Sequence, residues 1–326
     1  MHARLTLNQA RSFCLAALLI FATSTAVAAD AQDTERMQKA VLVTGASSGI
    51  GRQVTELLAS EGYFVYAGAR KQEDLDALNA LDNVEALRLD VTVQAEIDAA
   101  VDTVRKGGRG LYGLVNNAGV FTGGPLIETD IGELQWIFDV NVYGVYRVTQ
   151  AFAPLIIESK GRIVNISSIS GVLDWPMGGL YTMSKHAVEA YNDTLALELA
   201  RFDVGVSAIE PGNFKSEISS SARARMAQKD VQVENSRYAE EWAGMTDRPA
   251  DRSQYKEPEE VAQAVSHALF DDNPKAHYLV VPDQEEARWT IEEVITELIQ
   301  LNERQPYSYS RDQLIQMLDA AIAASN

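Results

Sequence analysis

Two groups of residues in this sequence have the types and spacing for chemistry. The first is Thr44-Gly45-Ala46-Ser47-Ser48-Gly49-Ile50-Gly51, directly after the apolar run Ala40-Val41-Leu42-Val43. Read as G-x-S-x-G, it makes Ser47 a nucleophile on a sharp strand-to-helix turn. Read on to Gly51, it is a strand, a glycine turn and a helix start. That form suits the phosphates of a dinucleotide, because glycine lets the backbone approach and helix N-terminal N–H groups point at the anion. Position decides between the two. A nucleophile elbow borrows an N–H from a loop after an earlier strand, and here the motif follows the first strand candidate. His186, His267 and His277 follow it, none with a local signature. No Gly-Lys-Ser/Thr follows, so this is not a Walker loop. The second group is Tyr181 and Lys185, four residues apart and so on one helix face. A free phenol has a pKa of about 10, too high for a base at neutral pH. A neighbouring ammonium favours the phenolate and lowers that value, which makes Tyr181 a proton-transfer candidate. Isolated Tyr/Lys pairs are common, and the glycine turn is what gives this one weight.

The elements that must position these groups alternate along the chain. Short apolar runs at 40–44, 64–67, 84–89, 111–115, 162–166, 204–209 and 277–281 read as strands. Helical patterns lie near 50–60, 73–80, 94–105, 131–158, 180–201 and 258–270. Alternation of this kind predicts an α/β fold with a doubly wound parallel sheet of Rossmann type, covered on both faces. Such sheets bind ligands at the carboxyl ends of their strands, where the strand order reverses. Residues 38–282 read as one dinucleotide-binding and catalytic domain. Within it, a long polar segment (213–255) interrupts the alternation, as functional loops do. Residues 283–326 read as a C-terminal extension of two helices. The first carries the stripe Ile291, Val294, Ile295, Leu298 and Ile299, and the second starts near Ser310.

Composition bounds the partners. The chain has 326 residues and a formal charge of −18. Residues 1–29 hold Arg4 and Arg11, an apolar stretch from Phe13, and Ala26-Val27-Ala28, a pattern that fits a cleaved secretory signal. Without them the charge becomes −20, since they hold two arginines and no acid. So acidic a body repels nucleic acid and anionic membranes. Cys14 is the only cysteine, so the mature chain offers neither a disulfide nor a zinc–thiolate site, and no metal site is expected. The leader implies export, to the periplasm in a two-membrane cell. An anchored or cytoplasmic domain is the alternative.

Other segments extend the first motif. Asn116-Asn117-Ala118-Gly119 follows the fourth strand candidate, Asp90 closes the third, Ser168 precedes Tyr181 by thirteen residues, and Pro211-Gly212 follows the sixth. The ordered set T-G-x-x-x-G-x-G, N-N-A-G, S…Y-x-x-x-K and P-G resembles the short-chain dehydrogenase/reductase family, within it the retinol, steroid and 3-hydroxybutyrate dehydrogenase branch. The resemblance implies roles. Ser168 hydrogen-bonds the substrate oxygen, Tyr181 exchanges a proton with it while hydride moves, and Lys185 binds the nicotinamide ribose and tunes Tyr181. Asn141 positions a relay water. Gly45, Ser47, Ser48, Gly49, Ile50 and Gly51 form the phosphate turn. Asp90 and Val91 contact adenine. Asn117, Ala118 and Gly119 line the ribose region, and Pro211, Gly212, Phe214 and Ser216 the nicotinamide end. At the end of the second strand, where an NAD enzyme usually places an acid, stand Ala69, Arg70 and Lys71. A guanidinium there suits a 2′-phosphate, so NADP is the expected cofactor, with NAD the alternative.

Segments 121–127, 172–179 and 215–255 should wall the substrate. Trp175, Met177, Phe214, Met226 and Trp242 make that wall apolar, which implies a hydrophobic steroid-, retinoid- or lipid-like alcohol or ketone. Arg223, Arg225 and Lys229 could instead recognise an acid group, but a solvated charged face is the favoured reading. A homodimer or homotetramer is expected. An NAD-dependent hydroxy-acid dehydrogenase and a non-catalytic cofactor sensor are the competing readings. The second follows from the scarcity of nicotinamide cofactor outside the cytoplasm.

Overall fold

The computed structural model describes residues 38–228, 233–246 and 252–324. The leader expected at residues 1–29, with Cys14, lies outside them, as does Lys229. Seven strands form one sheet: β1 (Ala40–Val43), β2 (Phe64–Ala69), β3 (Val84–Arg88), β4 (Gly113–Asn116), β5 (Arg162–Ile166), β6 (Gly205–Pro211) and β7 (His277–Val280). Their order is β3-β2-β1-β4-β5-β6-β7, and every neighbouring pair is parallel. The order reverses between β1 and β4, where Val43 pairs with Val115. The crevice of a doubly wound fold opens at that place.

Side chains alternate along each strand, so β1 feeds two cores. Val41 and Val43 join one, with Val54 and Leu58 of α1 (Gly49–Ser60) and Val261, Val265 and Leu269 of α9 (Glu259–Phe270). Ala40 and Leu42 join the other, with Ile97, Val101 and Val104 of α3 (Gln94–Gly107) and Val148, Phe152 and Ile156 of α5 (Val145–Glu158). Both faces being covered explains why the strands read as unbroken apolar runs. Between these elements lie α2 (Gln72–Asn79), α4 (Ile131–Phe138), α6 (Gly179–Leu199), α7 (Ile218–Gln228) and α8 (Ala239–Thr246). The C-terminal helices are α10 (Gln284–Asn302) and α11 (Arg311–Ala324). Among the described residues, no helix is long and apolar enough to cross a membrane.

Two boundaries differ from the sequence reading. The helix expected over 131–158 divides into α4, a π-helical turn over Asp139–Gly144, and α5. The wider turn carries Asn141 inward, where it is buried, and Arg147 closes it by pairing with Asp139 at 2.7 Å. Hydrophobic period does not distinguish such a bulge from a continuous helix. The 213–255 segment holds helical turns that pack on the cleft. In α8, Trp242 is buried and lies 3.2 Å from where a Cβ on Gly124 would stand.

Candidate active site

A cleft of about 1840 Å3 opens at the carboxyl ends of the strands. It is lined by Gly45, Ser47, Ser48, Gly49 and Ile50, by Arg70, Asp90 and Val91, and by Asn117, Ala118 and Gly119. Ser168, Tyr181, Lys185, Pro211, Gly212, Phe214 and Ser216 line it as well. Of the residues singled out in the sequence, Gly51 and Asn141 stand behind this lining.

The glycine turn is shaped by its neighbours. Gly45 has φ +64°, and a Cβ on it would come within 2.9 Å of the Ala118 Cα. Both conditions require glycine. Thr44 Oγ1 accepts from the backbone N–H groups of Asn117 and Ala118, each at 3.0 Å. Asn117 Nδ2 donates back to the carbonyls of Thr44 and Gly45, at 2.9 and 3.0 Å. The T-G and N-N-A-G motifs therefore form one cross-braced unit over the β1–β4 switch point. Gly51 serves that brace: a side chain there would collide with Asn117 Nδ2 and the Gly45 carbonyl. Its place in the structure is one of close packing behind the turn. Ser48 is the N-cap of α1, yet its side chain makes no capping bond. The first-turn N–H groups face an open cleft, as an anion site needs. These features fit the phosphates of a dinucleotide.

At the end of β2, Arg70 is 66% exposed and lies 3.8 Å from Asp90, a loose pair. Asp90 Oδ1 is held by the N–H and hydroxyl of Thr92, at 2.9 and 2.7 Å. The guanidinium and the carboxylate thus border the same end of the cleft.

The Tyr181/Lys185 pair sits on α6. Lys185 is buried, and its Nζ donates to the Ile166 carbonyl at 2.9 Å, at the end of β5. It stands 5.6 Å from the centre of the Tyr181 ring, which also meets Phe121 edge-on at 5.3 Å. Burial pushes the Tyr181 phenol up to about 12, against smaller opposite effects of a hydrogen bond with Ser168 and the charge of Arg252. The sequence reading expects a lowered value. In the folded protein desolvation outweighs nearby positive charge. Burial also pulls Lys185 down to about 8, opposed by the charge of Glu189 one turn on. Ser168 caps a short 3-10 turn, its hydroxyl 2.9 Å from that of Ser170. Asn141 Nδ2 donates to the Val120 carbonyl and to Ser184 Oγ, at 2.9 and 3.0 Å, while Oδ1 accepts from Val120 N–H at 2.8 Å.

Several residues that matter escaped sequence reasoning. Arg252 lines the cleft, as do Met245 and Tyr255. Buried Glu286, from the first turn of α10, accepts from the N–H and the side-chain amide of Asn213, at 2.9 and 2.8 Å. The C-terminal extension therefore braces the loop after β6. Arg225, expected on a solvated face, binds buried Glu133 through two bonds of 2.9 and 3.0 Å and stacks 3.5 Å from the centre of Trp136. Glu189, Glu210 and His277 bring three potential metal-ligand atoms within 4.8 Å of one another. His277 pairs with those carboxylates, whose hydrogen bonds raise its pKa to about 10. No local pattern marks these partners, which lie tens of residues apart.

Comparison with known proteins agrees with the motifs. The short chain dehydrogenase model matches residues 39–227. The mitochondrial D-beta-hydroxybutyrate dehydrogenase of Rattus norvegicus is 40% identical over 187 residues, which cover 54% of each chain. The chain thus spans about half the length of that relative. The NADPH-dependent 3-dehydrocapnine reductase of Ornithobacterium rhinotracheale is 36% identical over 252 residues, 74% of this chain and 87% of the other. A solved short chain dehydrogenase/reductase from Burkholderia phymatum, in complex with NAD, superimposes with a TM-score of 0.69 and 28% identity, covering 83% of this chain and 98% of that one. The chain belongs to the short chain dehydrogenase family.

Proposed function

We propose that this protein is a nicotinamide-dependent oxidoreductase that interconverts a secondary alcohol and a ketone on an apolar substrate, with NADP(H) preferred. The observation that carries the reading is the joint presence of Ser168, Tyr181 and Lys185 in the cleft that the glycine turn borders. The cofactor would supply or accept a hydride at its nicotinamide ring. Gly45, Ser47, Ser48, Gly49 and Ile50 would hold its phosphates, and Asp90 and Val91 its adenine. Arg70, with no acid in its place, would hold a 2′-phosphate.

In reduction, Tyr181 is a phenol at neutral pH and gives its proton to the carbonyl oxygen. Ser168 Oγ donates a hydrogen bond to the same oxygen. In oxidation the phenol must first lose its proton. Lys185, at about 8, is largely protonated at neutral pH, and its charge then favours the phenolate. Asn141 Oδ1 and Lys185 Nζ lie 3.6 and 3.9 Å from the place a Cβ on Gly119 would take. That shared approach supports a relay that returns the proton through Lys185. Phe121, Trp175, Met177 and Trp242 exclude water around the reacting carbon.

Purified protein should oxidise NADPH with at least one apolar ketone from a broad carbonyl panel. Binding without turnover across that panel would leave the sensor reading in its place. Arg70→Asp should move the kcat/KM ratio of NADPH to NADH toward NADH by about 10- to 100-fold, the worth of one charge-assisted contact. An unmoved ratio removes Arg70 from cofactor choice.

A further inference from the structure

The geometry points to an acid as the substrate: we infer that Arg252 binds a carboxylate carried by the apolar alcohol or ketone. This inference rests on the oxidoreductase reading of the same cleft and adds the substrate class to it.

Arg252 is held in place by neutral acceptors. Its Nε donates to the Phe214 carbonyl at 3.1 Å, and Nη2 to Asn213 Oδ1 at 2.9 Å. A longer contact joins Nη1 to Ser219 Oγ at 3.4 Å, and the guanidinium lies 4.4 Å from the centre of the Tyr255 ring. A guanidinium has five N–H groups, and these contacts engage three. Among the described residues no carboxylate lies within ion-pair distance of it. The nearest acid in the network is Glu286, which is tied to it through Asn213 and whose charge also acts on the guanidinium without direct contact. Glu286 thereby fixes Asn213, and Asn213 fixes the plane of the guanidinium.

A partly buried cation with no direct counter-ion is costly, and the planar fork of arginine matches a carboxylate with two parallel bonds. Arg252 and Tyr181 line the same cleft, and the charge of Arg252 is felt at the Tyr181 phenol. A single small molecule lying in this cleft can present its acid to Arg252 and its reacting oxygen to Tyr181. The other arginine candidates are less suited. Arg225 is already paired with Glu133, and Arg223 has partners of its own. Trp175, Met177, Met226 and Trp242 supply the apolar remainder of the wall. The ligand class is an oxo or hydroxy acid with a hydrocarbon chain. A phosphate of the cofactor is the other anion that could meet Arg252. The glycine turn already offers that group its N–H donors, so we assign Arg252 to the substrate.

The test uses the full chain. Octanoate and octanol are titrated against the NADP-loaded protein, read by tryptophan fluorescence. In parallel, turnover is compared for a medium-chain oxo acid and a methyl ketone of the same length. Wild type should bind octanoate more tightly than octanol and prefer the oxo acid. Arg252→Met should weaken octanoate binding and lower kcat/KM for the acid by at least about 30-fold, the cost of a lost buried charge contact, with a far smaller effect on the neutral partners. Arg252→Lys should recover part of the acid preference.

Equal wild-type affinity for octanoate and octanol overturns the inference. So does an equal loss for acid and neutral ligands in Arg252→Met, which would make the residue a structural tie. A comparable loss of NADPH affinity overturns it too, by giving the anion to the cofactor. Arg252-dependent octanoate binding without turnover of any substrate would sustain the acid site and sink the oxidoreductase reading instead.

Discussion

Around Gly45 the protein offers its ligand main chain, and around Tyr181 it offers side chains. On the first wall, Thr44 and Asn117 spend their polar atoms bracing the backbone. The N–H groups of the helix start are left facing the cleft. Such a surface suits a phosphate, and at Gly45 and Gly51 an added Cβ would collide with its neighbours. On the second wall, Ser168, Tyr181, Lys185 and Arg252 present distinct functional groups, Ser168 held within its own turn and Lys185 and Arg252 by other segments. Phosphate binding needs only a turn and a helix end, whereas selecting a substrate and moving a proton need particular side chains at particular depths.

The contrast can be broken in three ways. Tyr181→Phe should lower kcat by about 10^2- to 10^4-fold, the range for a lost acid/base group, while NADPH affinity stays within about twofold. Retained turnover would place the proton transfer elsewhere and dissolve the division of labour. Gly45→Val should act on the opposite wall. Positive φ and the contact with Ala118 cost about 2–4 kcal/mol together. Cofactor binding should fail first, visible as loss of the thermal shift that NADPH gives wild type. A Gly45→Val variant that still binds NADPH would show that the turn is not the phosphate cradle.

The smallest effect concerns what lies under the second wall. His277 on β7 contacts Glu210, Asp193 and Glu189, at 2.9, 2.9 and 3.4 Å. Glu189 lies against the Ser168 turn, its Cγ 2.8 Å from the place of a Cβ on Gly171. Hydrogen bonds with Glu189 and Glu210 raise His277 from 6.5 to about 10. A raised histidine stabilises the fold fully below its unfolded value, and the contribution disappears as pH climbs through the folded one. Wild-type Tm should therefore fall between about pH 6.5 and pH 10, and His277→Gln should lower Tm at pH 6 and flatten that slope. Parallel slopes for the two proteins would show that the imidazole carries no net charge linkage.

The sheet was legible because its signals are local. Most strands are short, largely apolar runs bounded by polar residues, and alternation with helices leaves few topologies. The glycine turn and the Tyr181/Lys185 pair are also local. The acid–base environment was not legible. A neighbouring lysine argued for a lowered phenol, yet desolvation raised it, and burial is a property of the folded molecule. Nor was the π-helical turn at Asn141 visible, since its signature is one extra residue in an otherwise helical period. The network of Glu286, Asn213 and Arg252 was hidden because its members lie 73 and 39 residues apart.

The sequence alone determined the family, the parallel sheet and the residues of the phosphate turn, because those depend on spacing within a few positions. It also determined an acidic composition and a single cysteine, Cys14. Tertiary structure decided that Arg223 and Arg252 join Arg70 at the cleft, that Arg225 is paired away with Glu133, and which braces the C-terminal helices supply. Charges acquire roles from the burial and partners that folding gives them, and neither is written in the local order of residues.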